Sequence, residues 1–469
     1  MLPKNLKYQN KVESASASAY TSNIAPQNGT GPYSAGQTII INVPTRNNLC
    51  LIGSESTLKF TLTATQSSGG ASNVMRLDRG GANGVIQRLR LYSGSNLLED
   101  VDSYGLLMAN LVSLQKSNAS VRGKFNISNG TRNDDVVECS TTAGVGANTT
   151  WGKAYICPAG EKLWTTTEVA TVANNTATIA RTYSISLLSI LGTLGSQYVP
   201  LFGMTAGGAL RLELQLVDSA NKFLCSDVAV GAFSLTNVEY VASFLELSDS
   251  SMEIINSSLG GQPLQYVIPS FRNYVYTTAL AGAGQQVNVP IASKFSSLKS
   301  LFGVMRDTAN TNNATFFPHS SASYGLQSYN LRIGSKIIPA KAPANYSEFF
   351  VEACKAIGSV GDINHCPTMS MFSYAVTTNT ANTETNVVQS KTSCSNNFLI
   401  GCDLEVYANA DKDSIYSGYN SLNDDIFCQM QLGGTGNAIA SLRFDFYALY
   451  DSLIMVPRMS SFNKINIIK

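Results

Sequence analysis

Ile86-Gln87-Arg88-Leu89-Arg90-Leu91-Tyr92-Ser93-Gly94-Ser95-Asn96-Leu97-Leu98 is the stretch whose reading decides the fold. Its apolar residues alternate with polar ones, the period of a half-buried strand. Ser93-Gly94-Ser95-Asn96 then reverses the chain, a hairpin signal. The same design returns later. Leu331-Arg332-Ile333 with Gly334-Ser335 matches Leu89-Arg90-Leu91 with Gly94-Ser95. Working outward, Gly36-Gln37 and Asn42-Val43-Pro44 recur as Gly284-Gln285 and Asn288-Val289-Pro290. Leu58-Lys59 recurs as Leu298-Lys299, and Tyr104-Gly105-Leu106-Leu107 has a looser copy in Tyr346-Ser347-Glu348-Phe349. All these offsets fall between 240 and 248, in one order. The chain contains itself twice.

Each copy carries the same elements. Thr38 to Val43, Leu58 to Thr63, Leu210 to Leu216 and Asn237 to Leu247 read as strands of the first half. Phe398 to Tyr407 and Ser441 to Tyr450 close the second. One helical spacing follows each Gly-Ser hairpin, at Tyr104 to Leu114 and at Tyr346 to Ile357, with Asn345 or Ser347 as cap of the second. Many short strands separated by turn residues, with one short helix per half, give an all-β chain with the texture of a jelly roll or sandwich; the expected fold is two tandem antiparallel eight-stranded jelly rolls with short helices in loops. The expected domains are an N-terminal arm at 1–34, a first jelly roll at 35–250, and a second jelly roll with C-terminal tail at 251–469. Taking Glu405 as the counterpart of Glu213, the first half is longer by 48 residues (119 against 71 from the glycine turn). That excess is expected as an inserted surface loop within about 117–182, which holds Trp151 and Trp164.

Composition narrows the function. Charged residues are 13% of the 469, against roughly 25% in ordinary soluble domains, and the net charge is +1. So weakly charged a surface suits a protein covered by copies of itself. No long apolar run spans a membrane. Lys4 and Lys7 precede no apolar stretch, so no secretory signal is expected. Nine cysteines without a CxxC pair then read as free thiols. Asn28, Asn118, Asn129 and Asn256 begin Asn-x-Ser/Thr triplets of the kind a Ser/Thr/Asn-rich chain makes by chance.

Chemistry is sparse. The two histidines are His319 and His365. His365-Cys366 lacks the orienting third group of a nucleophilic site, and with Asp362 it falls short of a convincing metal set. Asp403 and Glu405 read as a solvated strand face rather than paired catalytic carboxylates. Arg79-Gly80-Gly81 reads as a turn, since no phosphate-loop pattern is present. No cofactor, metal or catalytic residue is assigned, and the chain is expected not to be an enzyme. The exceptions to balanced charge are the ends. Lys4, Lys7 and Lys11 at one, and Arg458, Lys464 and Lys469 at the other, are candidate inner-face basic residues for an anionic surface, either genome or lipid headgroups.

Gly36 to Val43 with Leu58 to Leu62, Ile86 to Leu98 with Tyr104 to Leu107, Tyr198-Val199-Pro200-Leu201 before Leu210, Asn330 to Pro339, and Phe398 to Tyr407 with Tyr450-Asp451 together carry a family likeness. The chain resembles the double jelly-roll major capsid proteins of small eukaryotic DNA viruses, in particular those of polinton-like viruses, adintoviruses and virophages. The resemblance implies a homotrimer acting as a pseudo-hexameric capsomer of an icosahedral shell. It implies neighbouring capsomers, penton and minor capsid proteins as partners, with genome or an internal membrane at the inner face. It places the protein in a virion assembled inside the host cell. The competing reading is a jelly-roll carbohydrate-binding or fibre/attachment protein, which would gather exposed aromatics in one cleft and need no duplication.

Overall fold

The computed structural model describes residues 17–66, 75–117, 120–121, 123–131, 136–138, 154–156, 162–163, 178–194, 198–207, 209–226, 230–260, 262–281, 284–313, 316–358, 369, 371–377, 395–406, 417–433, 439–456 and 466–468. Eight strands build the first half: β1 (Ala17–Ile24), β2 (Thr38–Val43), β3 (Thr57–Gln66), β4 (Ile86–Ser93), β5 (Asn96–Asp102), β6 (Thr178–Ile185), β7 (Leu210–Leu216) and β8 (Val230–Leu247). Eight more build the second: β9 (Leu264–Leu280), β10 (Gln285–Ile291), β11 (Leu298–Asp307), β12 (Leu326–Ile333), β13 (Lys336–Ile338), β14 (Ile400–Asp403), β15 (Ile426–Leu432) and β16 (Ile439–Val456).

Sheet order makes each half a jelly roll. The first half pairs β1-β8-β3-β6 in one sheet and β2-β7-β4-β5 in the other. The second pairs β9-β16-β11-β14 and β10-β15-β12-β13. Adding eight to each strand number of the first half yields the second, so the topology is duplicated strand for strand. All these pairings are antiparallel.

Alternation sets the faces. In β7, Leu210, Leu212, Leu214 and Leu216 are buried while Arg211, Glu213 and Gln215 are half-buried. Each buried leucine is worth about 1.5–3 kcal/mol. The repeated hairpins are matched as well. Gly94 and Gly334 both sit at positive φ (59° and 56°), directly after Ser93 and Ile333, which pair with Asn96 and Lys336. A glycine there lets a two-residue turn follow the twist of its strands.

After each hairpin comes a helix of 12 residues, α1 (Tyr104–Gln115) and, in the second half, α3 (Tyr346–Ile357). Asn345 caps α3, its Oδ1 accepting from the Glu348 N–H at 2.9 Å. By contrast α1 is buried on almost every side. Between the halves lies α2 (Asp249–Ser258), started by Ser248, whose Oγ accepts from the Ser251 N–H. The helix spans the expected boundary at 250 and 251 between the jelly rolls. One continuous apolar core runs through both jelly rolls.

Two expectations change. Residues 17–24, expected within an unpatterned arm, form β1, an edge strand paired along its length with β8. Its faces are mostly exposed, so apolar alternation is weak and the pairing is carried by the backbone. Second, the counterpart of Leu210–Leu216 is Ile426–Leu432, not Phe398 to Tyr407. Glu213 lies opposite Arg90 and Gln429 opposite Asn330, each three residues before the hairpin edge. Gln429 is 95 residues past Gly334, so the first half is longer by 24 residues, not 48. Ile400–Asp403 is instead the counterpart of β6. Of the 117–182 insertion, Lys162–Leu163 pairs with Arg76 and Met75, and Val136–Glu138 pairs with Ala154–Ile156.

Candidate functional site at the seam between the jelly rolls

The basic ends singled out by sequence, Lys4, Lys7, Lys11, Arg458, Lys464 and Lys469, lie outside the described residues, as do Asp362, His365 and Cys366. Asp403 ends β14, and Glu405 lies beyond it. Rather than facing solvent as a free pair, Glu405 meets Lys299 at 3.3 Å, and Lys299 also meets Asp451. The described cysteines, Cys50, Cys225, Cys354, Cys402 and Cys428, are buried and form no disulfide with one another. Burial pushes the Cys50 thiol up to about 11 and that of Cys402 to about 12, so neither is poised as a nucleophile.

What the sequence missed is a buried polar seam joining the halves. Both loops that lead from the third to the fourth strand of a jelly roll meet there. From the first half come Asp78 and Arg79, and from the second His319. The two Asp78 carboxylate oxygens accept from the main-chain N–H of Arg79 and from that of His319. Arg79 Nη2 donates to Asn110 Oδ1 on α1 at 2.8 Å and to the His319 carbonyl at 2.9 Å. Gly84 and Gly105 make the space. A Cβ on Gly84 would stand 3.1 Å from His319 Cε1, and one on Gly105 3.2 Å from Nε2.

Beside this lies a second cluster. Arg306 on β11 donates through Nε and Nη2 to Asp445 Oδ2 at 3.1 and 2.7 Å, and through Nη1 to the Pro318 carbonyl. Arg443 donates through Nη2 to Asp445 Oδ1 at 2.7 Å and reaches Ser103 Oγ at 3.2 Å. Tyr447 donates to the Ser103 carbonyl at 2.9 Å. Ser103 holds a left-handed backbone (φ 49°) as the residue that turns β5 into α1. β16 of the second half therefore pins the strand-to-helix corner of the first.

Electrostatics fits a lock. Burial lowers the Arg79 guanidinium to about 10, against the pull of Asp78. Burial likewise depresses His319 to about 4, leaving it neutral near pH 7 although Asp78 favours its charge. Burial would raise Asp445, but Arg306 and Arg443 together hold it below the ordinary carboxylate value. The nearest His319 ring nitrogen to Asp78, Nδ1, stands 3.6 Å from Oδ2, beyond hydrogen-bond reach, so the two side chains are not aligned to pass a proton. A cavity of about 100 Å³ opens beside the cluster, lined by Gln87, Ser103, Lys222, Arg306, His319 and Arg443 among others.

The one sequence signal for this seam was Met75-Arg76-Leu77-Asp78-Arg79-Gly80-Gly81-Ala82-Asn83-Gly84, charges beside glycines in a chain poor in charge. Among the described residues no group of three or more His, Cys, Asp or Glu side chains is arranged to hold a metal ion. No described helix is long and apolar enough to cross a membrane.

Two jelly rolls in tandem, with matched strand order and a locked seam, define a double jelly-roll protein. Solved structures share this fold over nearly the whole chain. The PBCV-1 virus capsid matches with a TM-score of 0.58 at 10% identity, covering 98% of each chain. The mavirus major capsid protein matches at 0.55 and 10%, covering 100% of this chain and 93% of that one. The Faustovirus major capsid protein matches at 0.56 and 10%, covering 96% and 92%. A scan of protein-family models and a search of curated proteins give no match.

Proposed function

We propose that this chain is a viral major capsid protein, a structural subunit rather than a catalyst. The observation that carries the reading is the pair of complete jelly rolls of identical strand order, fixed to each other by a buried polar seam. A unit of that kind offers two similar faces per chain. Three chains around an axis then present six similar barrels, a pseudo-hexagonal block able to tile an icosahedral shell by repeated identical contacts. The shared fold with capsid proteins supports the same reading.

In this reading the trimer buries over about 2,000 Å² per interface, as obligate assemblies do. The 117–182 insertion clasps the neighbouring subunit. The basic ends face genome or an internal membrane, and penton and minor capsid proteins complete the shell of a virion assembled in the host cell. Negative-stain electron microscopy with sizing of the purified chain tests the proposal. Blocks of three chains with hexagonal outline are expected. Stable monomers that bind glycans would instead favour the attachment-protein reading.

A further inference from the structure

The two halves carry a lysine at the same point of their third strands and place it differently. Lys59 on β3 stands in regular register opposite Glu239, and the pair is 3.3 Å apart with side chains 44% and 30% exposed. Such a surface ion pair adds little stability. Its counterpart, Lys299, lies at a bulge near the start of β11. Leu298 pairs with Tyr450 and Ser300 with Leu449, so Lys299 is the extra residue between them. A bulge re-aims a side chain, and that of Lys299 is only 15% exposed.

Two carboxyl groups meet this amine. Lys299 Nζ stands 3.3 Å from Asp451 Oδ1 and 3.3 Å from Glu405 Oε1. Asp451 lies on β16, the strand paired with β11, and its side chain is 4% exposed. Tyr240 opposite Leu58 and Tyr450 opposite Leu298 align the two halves, so Val241 holds the place of Asp451 in the first. Ser297 Oγ donates to Asp451 Oδ2 at 2.7 Å, and the Asp451 N–H donates to the Ser297 carbonyl at 3.0 Å. Glu405 is brought alongside by the Leu404 N–H, which donates to the Lys299 carbonyl at 2.8 Å. Ser417 Oγ donates to Glu405 Oε1 at 3.0 Å. Leu298, Leu404 and Tyr450 are buried around the group.

This arrangement has the parts of an amide-forming site: an amine, a carboxyl fixed against it and a second carboxylate able to carry a proton. Burial raises the Asp451 carboxyl above its ordinary value, toward the uncharged form that an amine attacks. Fixed proximity supplies what activation supplies in solution.

We propose that Lys299 and Asp451 join in an isopeptide bond that the folded chain forms by itself, with Glu405 as the proton carrier. Glu405 takes a proton from the Lys299 ammonium and passes it to the Asp451 carboxylate. The freed amine attacks Cγ, a C–N bond forms, a C–O bond breaks and water leaves. Ammonium and carboxylate become one amide and one water, so no oxidant, nucleotide or cofactor enters. The bond ties β11 to β16 covalently in the second jelly roll alone. It does not rest on the capsid reading, and its test needs no assembled particle.

The intact mass of the purified full chain tests the bond, with Lys299→Arg as a reference that cannot close it. The unsubstituted chain is expected to weigh one water less than its sequence, and the reference to keep its full mass. Protease digestion of the unsubstituted chain should release a branched peptide joining the segments that hold Lys299 and Asp451. Glu405→Gln keeps both bonding partners and should leave most folded chains at full mass. A folded, unsubstituted chain of full mass overturns the bond, and so does a branch mapped to Glu405 in place of Asp451. A Glu405→Gln chain that closes as completely as the unsubstituted one overturns the role given to Glu405. Should Lys299→Arg fail to fold, the digest of the unsubstituted chain decides alone.

Discussion

Arg79 donates from Nη2 to the carbonyl oxygen of His319, and the two residues stand 240 positions apart. That is the spacing between Gly94 and Gly334, and between Leu58 and Leu298. Arg79 therefore bonds to the residue that holds its own place in the other jelly roll. The two corresponding loops supply donor and acceptor, and their contact ties the two rolls together. Buried polar contacts of this kind restrict orientation more tightly than apolar packing does, because a misplaced partner leaves a charge unpaired.

The seam should dominate stability. Asp445 is fully buried and accepts from two arginines. Asp445→Ala leaves Arg306 without its carboxylate in a buried site, a loss of about 3–5 kcal/mol. Arg443→Ala should cost less, since that side chain keeps 29% of its exposure and its charge is already partly hydrated. Urea unfolding of the two variants checks the order, and equal midpoints would contradict it.

Acid should loosen the protein in a defined window. His319 is held near 4, below its ordinary 6.5. Between those values the unfolded chain takes up a proton that the folded chain refuses. Stability is therefore full above about 6.5 and falls as pH drops toward 4, by at most about 3 kcal/mol from this residue. Asp445, also depressed, adds a loss that begins only below the ordinary carboxylate range. Thermal melts across pH 7 to 4 should slope downward, and His319→Gln should flatten the slope. An unchanged slope in that variant would assign the acid sensitivity elsewhere.

The hairpin glycines should behave alike. Gly94→Ala and Gly334→Ala each force a side chain into a left-handed backbone, costing about 1–2 kcal/mol. Gly334→Ala also meets Asp424 Oδ1 at 2.9 Å, so it should be the worse of the two. Differential scanning calorimetry of the pair decides this.

On the proposed capsid reading, changing Lys4, Lys7, Lys11, Lys464 and Lys469 to Gln should impair packaging or assembly more than trimer formation. The effect should be collective and weaken with added salt, as for any exposed cluster meeting an anionic surface. Particles of normal yield and content, or a terminus mapped to the outer surface, would remove that role.

The sequence by itself determined the strands that bury an apolar face, the hairpin turns and the duplication. Alternation in Leu210–Leu216, the Gly-Ser hairpins and the two tyrosine-led helices are local patterns, set by burial of one face and by the backbone freedom of glycine. Partner choice was not local. Phe398 to Tyr407 reads as a strand and offers itself as the repeat of β7, and only the pairing of Ile426–Leu432 with Tyr329–Ile333 shows that the later segment is the repeat. β1 escaped notice because an edge strand is held by backbone bonds that leave no apolar trace. Arg79 looked like part of a turn, and its role exists only once a residue 240 positions away is folded against it. Periodicity records which side of an element is buried; it carries nothing about which distant group will be waiting there.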